Sequence, residues 1–179
     1  MTLCGTATNV TLFNHSKNIP PATMKTELIM VGKTTNKHFS VCIDDYVGRI
    51  SHYMPFTLTV IPELKNTKKL SEEQQKQLEG ELILRTLQAG DFLVLLDEHG
   101  NELRSIELAS WLERKQHAVR RLVFVIGGPY GFSEAVYARA NEKLSLSRMT
   151  FSHQMVRLVF TEQIYRACTI IKGEPYHHE

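Results

Sequence analysis

The chain has 179 residues, of which 42% are hydrophobic and 22% charged, ordinary values for a globular protein. This length predicts one domain with a core large enough to need neither disulfides nor metals. The formal net charge of only +2 excludes bulk positive charge as a sign of nucleic-acid binding, so any such site must be a local patch.

The cysteine pattern and the hydropathy pattern point to the same compartment. Cys4, Cys42 and Cys168 lie far apart and form no CxxC pair, which favours a reducing environment. The sequence has no apolar run long enough to span a bilayer, and its first residues lack the pattern of a secretory signal. We therefore expect a cytoplasmic protein that does not bind membranes.

The predicted elements alternate between strand and helix after residue 23. Residues 1–23 show neither the strand nor the helix periodicity of apolar residues. They are interpreted as a weakly ordered extension before a single domain over residues 24–179. The order is strand 25–31, helix 36–51, strand 56–61, helix 71–88, strand 92–96, helix 105–117, strand 122–126, helix 132–140, strand 144–146 and helix 155–171. This alternation predicts an α/β fold with a mainly parallel sheet flanked by helices.

Local signals set some of the element boundaries. Ser71 and Gln74 match the sequence pattern of a capping box. Ser105 is predicted to cap the helix that follows it. Residues 97–101 contain Gly100 and polar side chains, which predicts a loop.

The carboxyl ends of the strands are where an open α/β sheet binds its ligands. Three such ends are expected at Leu96, at Gly127 and at Ser147. The segment GGPYG over residues 127–131 is neither a P-loop nor a GxGxxG motif. Its glycines permit close backbone approach, so it is either a ligand cradle or a tight strand-to-helix turn.

Several polar side chains are candidates for chemistry. His153 and Arg157 are four residues apart and share a helix face, which either contacts RNA or is simply solvated. Tyr176 and His177 near the end of the chain either stack on a base or belong to a frayed tail.

Other chemistries have weaker support. The histidines and Cys168 have no zinc-site spacing, so no metal is expected. Asp97 and Glu98 lack an evident partner for acid–base work, and there is no nucleophile elbow. The lysines of residues 65–69 either contribute to an RNA patch or serve solubility.

The motifs of the last half of the chain, taken in order, resemble those of the SPOUT methyltransferases. They are LLD ending at Asp97, IGGPYG from residue 126, the LSLSxxTxxH run of residues 144–153, HQMVR from residue 153, EQIYRA from residue 162 and PYH from residue 175. The resemblance covers residues 24–179. It is strongest to the small single-domain members that methylate large-subunit ribosomal RNA.

The resemblance implies a fold, a reaction and partners. It implies an α/β sheet with a C-terminal deep trefoil knot, a homodimer, and S-adenosylmethionine as cofactor. The implied reaction is methylation of N3 of a pseudouridine in 23S ribosomal RNA within the assembled ribosome, with no DNA and no membrane involved.

The resemblance also assigns residues to roles. The cofactor-binding set that it implies is Leu96, Gly127, Leu146, Ser147, Arg148, Met149, Thr150 and Phe151, with Arg148 and Met149 contributing main chain. The set implied for substrate positioning or proton transfer, with the base unassigned, is His153, Arg157, Tyr176 and His177. His178 stands where the family often has Arg or Lys, and its partial charge weakens a fixed phosphate contact there.

Three other functions stay open at this point. A SPOUT enzyme acting on transfer RNA is one, although such enzymes usually carry an added RNA-binding domain. The others are a ribosome-binding factor without activity and a nucleotide-binding sensor that does not turn over.

Overall fold

The computed structural model describes residues 23–178, so all but the last residue of the predicted N-terminal extension lies outside the described residues. The elements are β1 Lys25–Val31, α1 Lys37–Ile50, β2 Phe56–Ile61, α2 Glu72–Thr86, β3 Phe92–Glu102, α3 Ser105–Ala118, β4 Arg121–Ile126, α4 Glu134–Arg139, β5 Glu142–Ser145 and α5 Met155–Ile171. A short 3₁₀ helix, Thr67–Lys69, stands between β2 and α2.

The five strands form one sheet in the order β2-β1-β4-β3-β5, and every pair is parallel. In the middle of the sheet, Ile29 of β1 pairs with Thr59 of β2 on one side and with Val125 of β4 on the other. The predicted α/β class with a parallel sheet is confirmed. The knotted threading of the C-terminal segment stays a prediction.

Helices cover both faces of the sheet, and each face has its own apolar core. Leu28 and Phe124 point to the side where α1, α3 and α5 pack, and the Phe124 ring lies 4.8 Å from that of Phe160 in α5. Ile29 and Val125 point to the other side, where α2 and α4 pack. Strands buried on both faces tend to be continuous apolar runs, and residues 92–96 of β3 and 122–126 of β4 show this pattern in the sequence. No helix described over residues 23–178 is long and apolar enough to cross a membrane.

β3 differs from its prediction. The sequence predicted a strand that ends at Leu96 and a loop over residues 97–101, whereas β3 runs on to Glu102. Its ladder with β5 shifts register, because Leu96 and Asn101 both pair with Leu144. Gly100 packs so closely on the backbone of Leu144 that an added Cβ would collide with it. The polar residues that suggested a loop belong to an irregular strand extension at the sheet edge.

The helix caps were predicted with mixed success. Ser71 caps α2 as predicted: its Oγ accepts from Gln74 N at 3.2 Å, and the Gln74 side chain accepts from Ser71 N at 2.9 Å. Ser105 is not a cap but the first helical residue of α3, and its Oγ donates to the Gln163 side chain of α5 at 3.0 Å. The hydroxyl therefore joins two helices.

Replacing Ser71 with Ala should lower the free energy of unfolding by about 1 kcal/mol, because the backbone amide of Gln74 in the first turn of α2 loses its side-chain cap. Urea unfolding at a fixed protein concentration measures this loss. Ser110→Ala, on the exposed face of α3, is the matched control and should leave the stability within about 0.5 kcal/mol of wild type. An equal loss for the two variants would contradict the capping role.

Candidate functional site

A cavity of about 690 Å³ opens at the carboxyl ends of β3, β4 and β5. Its position is the one expected for a ligand site in a parallel sheet. The lining comes from α2, from the strand ends and from the two loops after β4 and β5. The residues are Glu72, Lys76, Leu96, Asp97, Glu98, His99, Ile126, Gly127, Gly128, Pro129, Tyr130, Gly131, Phe132, Tyr137, Leu144, Ser145, Leu146, Ser147, Met149, Thr150, Phe151, Ser152, His153 and Val156.

The glycine loop after β4 is both a tight turn and a wall of the cavity, so the two interpretations offered by the sequence are compatible. Gly131 N donates to Gly128 O at 3.2 Å, which closes a turn with Pro129 at its second position. Gly131 has φ +81°, a conformation that favours glycine. A Cβ on Gly128 would collide with Oε2 of Glu79 in α2, so the loop backbone lies directly against that helix.

The loop after β5 is shaped by serine hydroxyls. The Ser145 hydroxyl donates to Ser147 O at 3.0 Å, and the Ser147 hydroxyl accepts from Met149 N at 2.9 Å. These local bonds turn the backbone of residues 145–149 around the cavity edge. Arg148 is absent from the lining, and its guanidinium extends into solvent with Glu102 as its ion-pair partner at 3.5 Å.

Asp97 has partners that its sequence context did not reveal. Its Oδ2 accepts from the Tyr137 hydroxyl at 2.5 Å, and its Oδ1 accepts from His99 N at 2.9 Å. Burial, and then the bond to Asp97, raise the pKa of Tyr137 above its usual range. With both oxygens engaged, Asp97 fixes the rim of the cavity, and it has no neighbouring carboxylate bonded to it that would make an acid–base pair.

His153 occupies a junction between two cavities. It lines the large cavity and also a smaller one of about 200 Å³, and Pro129 is the other residue that the two linings share. His153 is exposed and lies two residues before the start of α5 at Met155. A titratable side chain that is accessible from both cavities is suited to proton transfer between their contents.

Arg157 does not lie on the solvated helix face that its spacing from His153 suggested. It is 0% exposed, and its Nη2 donates to Val31 O at 2.6 Å while its Nη1 donates to Thr34 Oγ1 at 3.0 Å. Burial lowers its pKa, and the negative charge of Glu63 partly offsets this effect. The side chain therefore binds α5 to the end of β1 and is not on a solvated face.

A neighbouring residue strengthens this attachment. The Gln154 side-chain oxygen accepts from the backbone amides of Thr35 and Asn36 at 3.2 and 3.0 Å, and its amide group donates to Thr35 Oγ1 at 2.7 Å. The start of α5 is thus fixed to the β1–α1 loop by Gln154 and Arg157, both of which follow His153 in the chain. This attachment determines where His153 meets the cavities.

The tail packs against α5 at a distance from both cavities. The Tyr176 ring lies 4.8 Å from that of Tyr165, and its hydroxyl donates to Glu162 at 3.2 Å. His177 Nδ1 lies 3.4 Å from Nη1 of Arg166. None of these residues lines either cavity, so a single chain does not bring Tyr176 and His177 to His153.

Most of the predicted cofactor residues come together in one place. All of them except Arg148 line the large cavity, and His153 joins them. Sequence reasoning missed Lys76 and Glu72, because α2 carries no motif that would mark it as a wall. It also missed Tyr137, whose only signal was its place in the short helix after the glycine loop. Among residues 23–178 no group of three or more His, Cys, Asp or Glu is placed to hold a metal.

The family described as "Predicted SPOUT methyltransferase" matches residues 24–177 of this chain. The chain belongs to the SPOUT methyltransferase family. The resemblance carried by the sequence motifs is confirmed, and so is the assignment of the protein as a methyltransferase.

Curated members of this SPOUT family are similar over almost the whole chain. "Ribosomal RNA large subunit methyltransferase H" of Bacteroides thetaiotaomicron is 62% identical over 157 residues, which are 87% of this chain and 100% of that protein. The protein of the same name from Flavobacterium johnsoniae is 56% identical over 157 residues, with the same coverage. That from Christiangramia forsetii is 54% identical over 156 residues, or 87% of this chain and 99% of the relative.

If Arg157 acts in this SPOUT enzyme by fixing α5 to β1, substitutions of Arg157 or of its partner Thr34 should slow methyl transfer. We expect Arg157→Lys to lower kcat about tenfold, because a single ammonium group replaces the two guanidinium nitrogens that bond Val31 O and Thr34 separately. Thr34→Ala removes one bond and should lower kcat about threefold and stability by about 1 kcal/mol. Steady-state kinetics and urea unfolding measure these effects.

The control for this pair is Arg114→Lys, on the exposed side of α3, which should match wild type in kcat and stability. A Thr34→Ala variant with wild-type kcat, beside an inactive Arg157→Lys, would contradict the attachment and favour direct substrate contact by Arg157.

Proposed function

We propose that this chain is an S-adenosylmethionine-dependent enzyme that methylates N3 of a pseudouridine in 23S ribosomal RNA, in the cytoplasm and on the assembled ribosome. The observation that carries the proposal is the 62% identity to a protein named for large-subunit ribosomal RNA methylation, which the chain covers completely. The large cavity at three strand ends supports it, because the cavity lies where the family motifs predict that the cofactor binds.

The residues of the large cavity fit S-adenosylmethionine. Its volume of about 690 Å³ lies within the usual range for small-molecule sites. Leu96 and Leu146 offer apolar surface to a flat ring, and backbone amides and carbonyls of the loops at residues 127–131 and 145–151 are available for its polar edges. When bound, the cofactor supplies a methyl carbon whose bond to a sulfonium breaks with the electron pair left on sulfur.

The chain has two tasks in this reaction, alignment and proton removal. The glycine loop and the loop after β5 hold the donor, and the junction at His153 is where the acceptor base meets it. N3 of the base must lose its proton before its electron pair can bond to carbon. We assign His153 as the acceptor of that proton, because it is the titratable side chain exposed to both cavities.

A homodimer would complete this site. Tyr176 and His177 are predicted to act on the substrate, yet in one chain they lie against Glu162, Tyr165 and Arg166, away from both cavities. We propose that the tail of one protomer reaches the cavity of its partner. Aromatic and imidazole rings from that tail would hold an RNA base beside His153.

Transfer of labelled methyl groups to three substrates tests the proposed function. We expect label in the ribosomal RNA of whole ribosomes that lack this methylation, less label with isolated large subunits, and none in transfer RNA. Label confined to transfer RNA would move the function to the alternative enzyme class. Cofactor binding without transfer to any substrate would favour the sensor or the binding factor.

Mixing two inactive variants tests the shared site. Tyr176→Ala/His177→Ala lacks the tail side chains, and Gly128→Val places a side chain where Glu79 already lies. After the two proteins are unfolded and refolded together, mixed dimers should contain one intact site, and activity should return to about a quarter of wild type. Each variant refolded alone is the control. Recovery no greater than the sum of the two variants would show that each tail acts in its own chain.

A further inference from the structure

The smaller cavity lies beside the large one, on the other side of the glycine loop. Its volume is about 200 Å³, and it is bounded by the ends of β1 and β2, the 3₁₀ helix and the inner side of α2. That volume is below the range typical of complete ligands, and it suits a single ring. The cavity is separate from the cofactor-binding set that the family motifs imply.

The two linings meet at Pro129 and His153. A transferase must bring its donor and its acceptor together at one point, within about 3–3.5 Å for the reacting atoms. If the donor lies in the large cavity, a base in the smaller one would face it across these two residues. The occupant of the smaller cavity is therefore the acceptor base, an inference that rests on the proposed function.

The polar lining of the smaller cavity includes two carboxylates, those of Glu63 and Glu79, beside Thr67, Gln75 and His153. Glu63, just after β2, is exposed and has neither a hydrogen bond nor an ion pair with the residues that the structure describes. A Cβ on Gly32 would collide with Glu63 Oε1, so glycine at the end of β1 leaves the space in which this carboxylate lies. Gly32 also has φ +76°, which restricts the position to glycine.

Two buried charged residues, Glu79 and Arg157, interact electrostatically with Glu63. Glu79 is only 4% exposed; its Oε1 accepts from Gln75 at 2.8 Å, and its Oε2 has no hydrogen-bond partner among residues 23–178. Burial, opposed by the bond from Gln75 and assisted by Glu63, raises the pKa of Glu79. The negative charge of Glu63 also interacts favourably with the buried guanidinium of Arg157, whose pKa it raises against the effect of burial. The wall thus presents one accessible anionic acceptor, Glu63.

Pseudouridine differs from uridine in the group that such an acceptor would recognise. Its ring is joined to the sugar through carbon, so N1 keeps a hydrogen that uridine lacks. We propose that the smaller cavity binds the target base and that Glu63 accepts a hydrogen bond from N1–H, which selects pseudouridine over uridine. A site built to bond an N–H group discriminates strongly against a base without it.

The test compares ribosomes with pseudouridine at the target position against ribosomes with uridine there. For wild type we expect kcat/KM to be at least about tenfold higher with pseudouridine. Glu63→Ala should lose most of this preference: its kcat/KM for pseudouridine should fall about tenfold, and that for uridine should stay within about twofold of wild type. Glu63→Gln keeps the shape and one acceptor, and it should retain part of the preference.

Two further measurements separate this role from general damage. Binding of S-adenosylmethionine, measured by calorimetry without RNA, should be the same for both Glu63 variants and for wild type. Glu113→Ala, exposed on α3, is the matched loss of a carboxylate and should keep the full preference. Ribosome binding without cofactor should weaken in Glu63→Ala for the pseudouridine ribosomes alone.

The outcomes distinguish failure of the role proposed for Glu63 from failure of the proposed function. A wild type that methylates neither kind of ribosome would overturn the proposed function. A wild type that methylates both equally, or a Glu63→Ala variant that keeps the wild-type preference, would overturn the role of Glu63 and leave the function standing. An equal fall for both substrates would also contradict selection by Glu63.

Discussion

Close backbone packing at the glycine loop is the constraint on which the rest of the site depends. Gly128 lies against Glu79 of α2, and a Cβ on Gly127 would lie only 3.1 Å from the ring of Phe132. A side chain at Gly128 would push the loop away from α2, and one at Gly127 would displace the aromatic ring that anchors the next segment. The glycine loop is therefore held close to α2, and its Pro129 lines both cavities.

The second constraint is the attachment of α5 to the end of β1. A buried guanidinium is costly unless its donors are bonded, and two nitrogens of Arg157 bond Val31 O and Thr34 while Nε has no partner. Such an arrangement persists when the surrounding structure holds it firmly, as Gln154 does through three bonds to the same loop. His153 precedes both residues in the chain, so the hydrogen bonds of Gln154 and Arg157 determine its place at the junction of the two cavities.

The sequence predicted the elements whose burial pattern is simple. β1, β2 and α5 have their predicted bounds, because their apolar residues repeat with the period of their structure. It failed at the β3 extension, where polar residues 97–101 join a strand at the sheet edge. It also predicted the two loops of the large cavity, since their glycines and serines have local signatures. The burial of Arg157 and the part played by α2 depend on contacts more than 40 residues apart, and no local pattern encodes them.

The proposed division of the site between two protomers would explain how a protein with little net charge can act on RNA. One protomer supplies the cavities and His153, and its own tail rings lie on α5, where Arg166 stands 4.9 Å from the centre of the Tyr176 ring. Bulk positive charge would attract any nucleic acid. A site that needed a second protomer, a base of the right shape and an N–H donor at Glu63, as proposed, would instead draw its selectivity from geometry. The small net charge of +2 is then consistent with an enzyme that recognises one assembled surface.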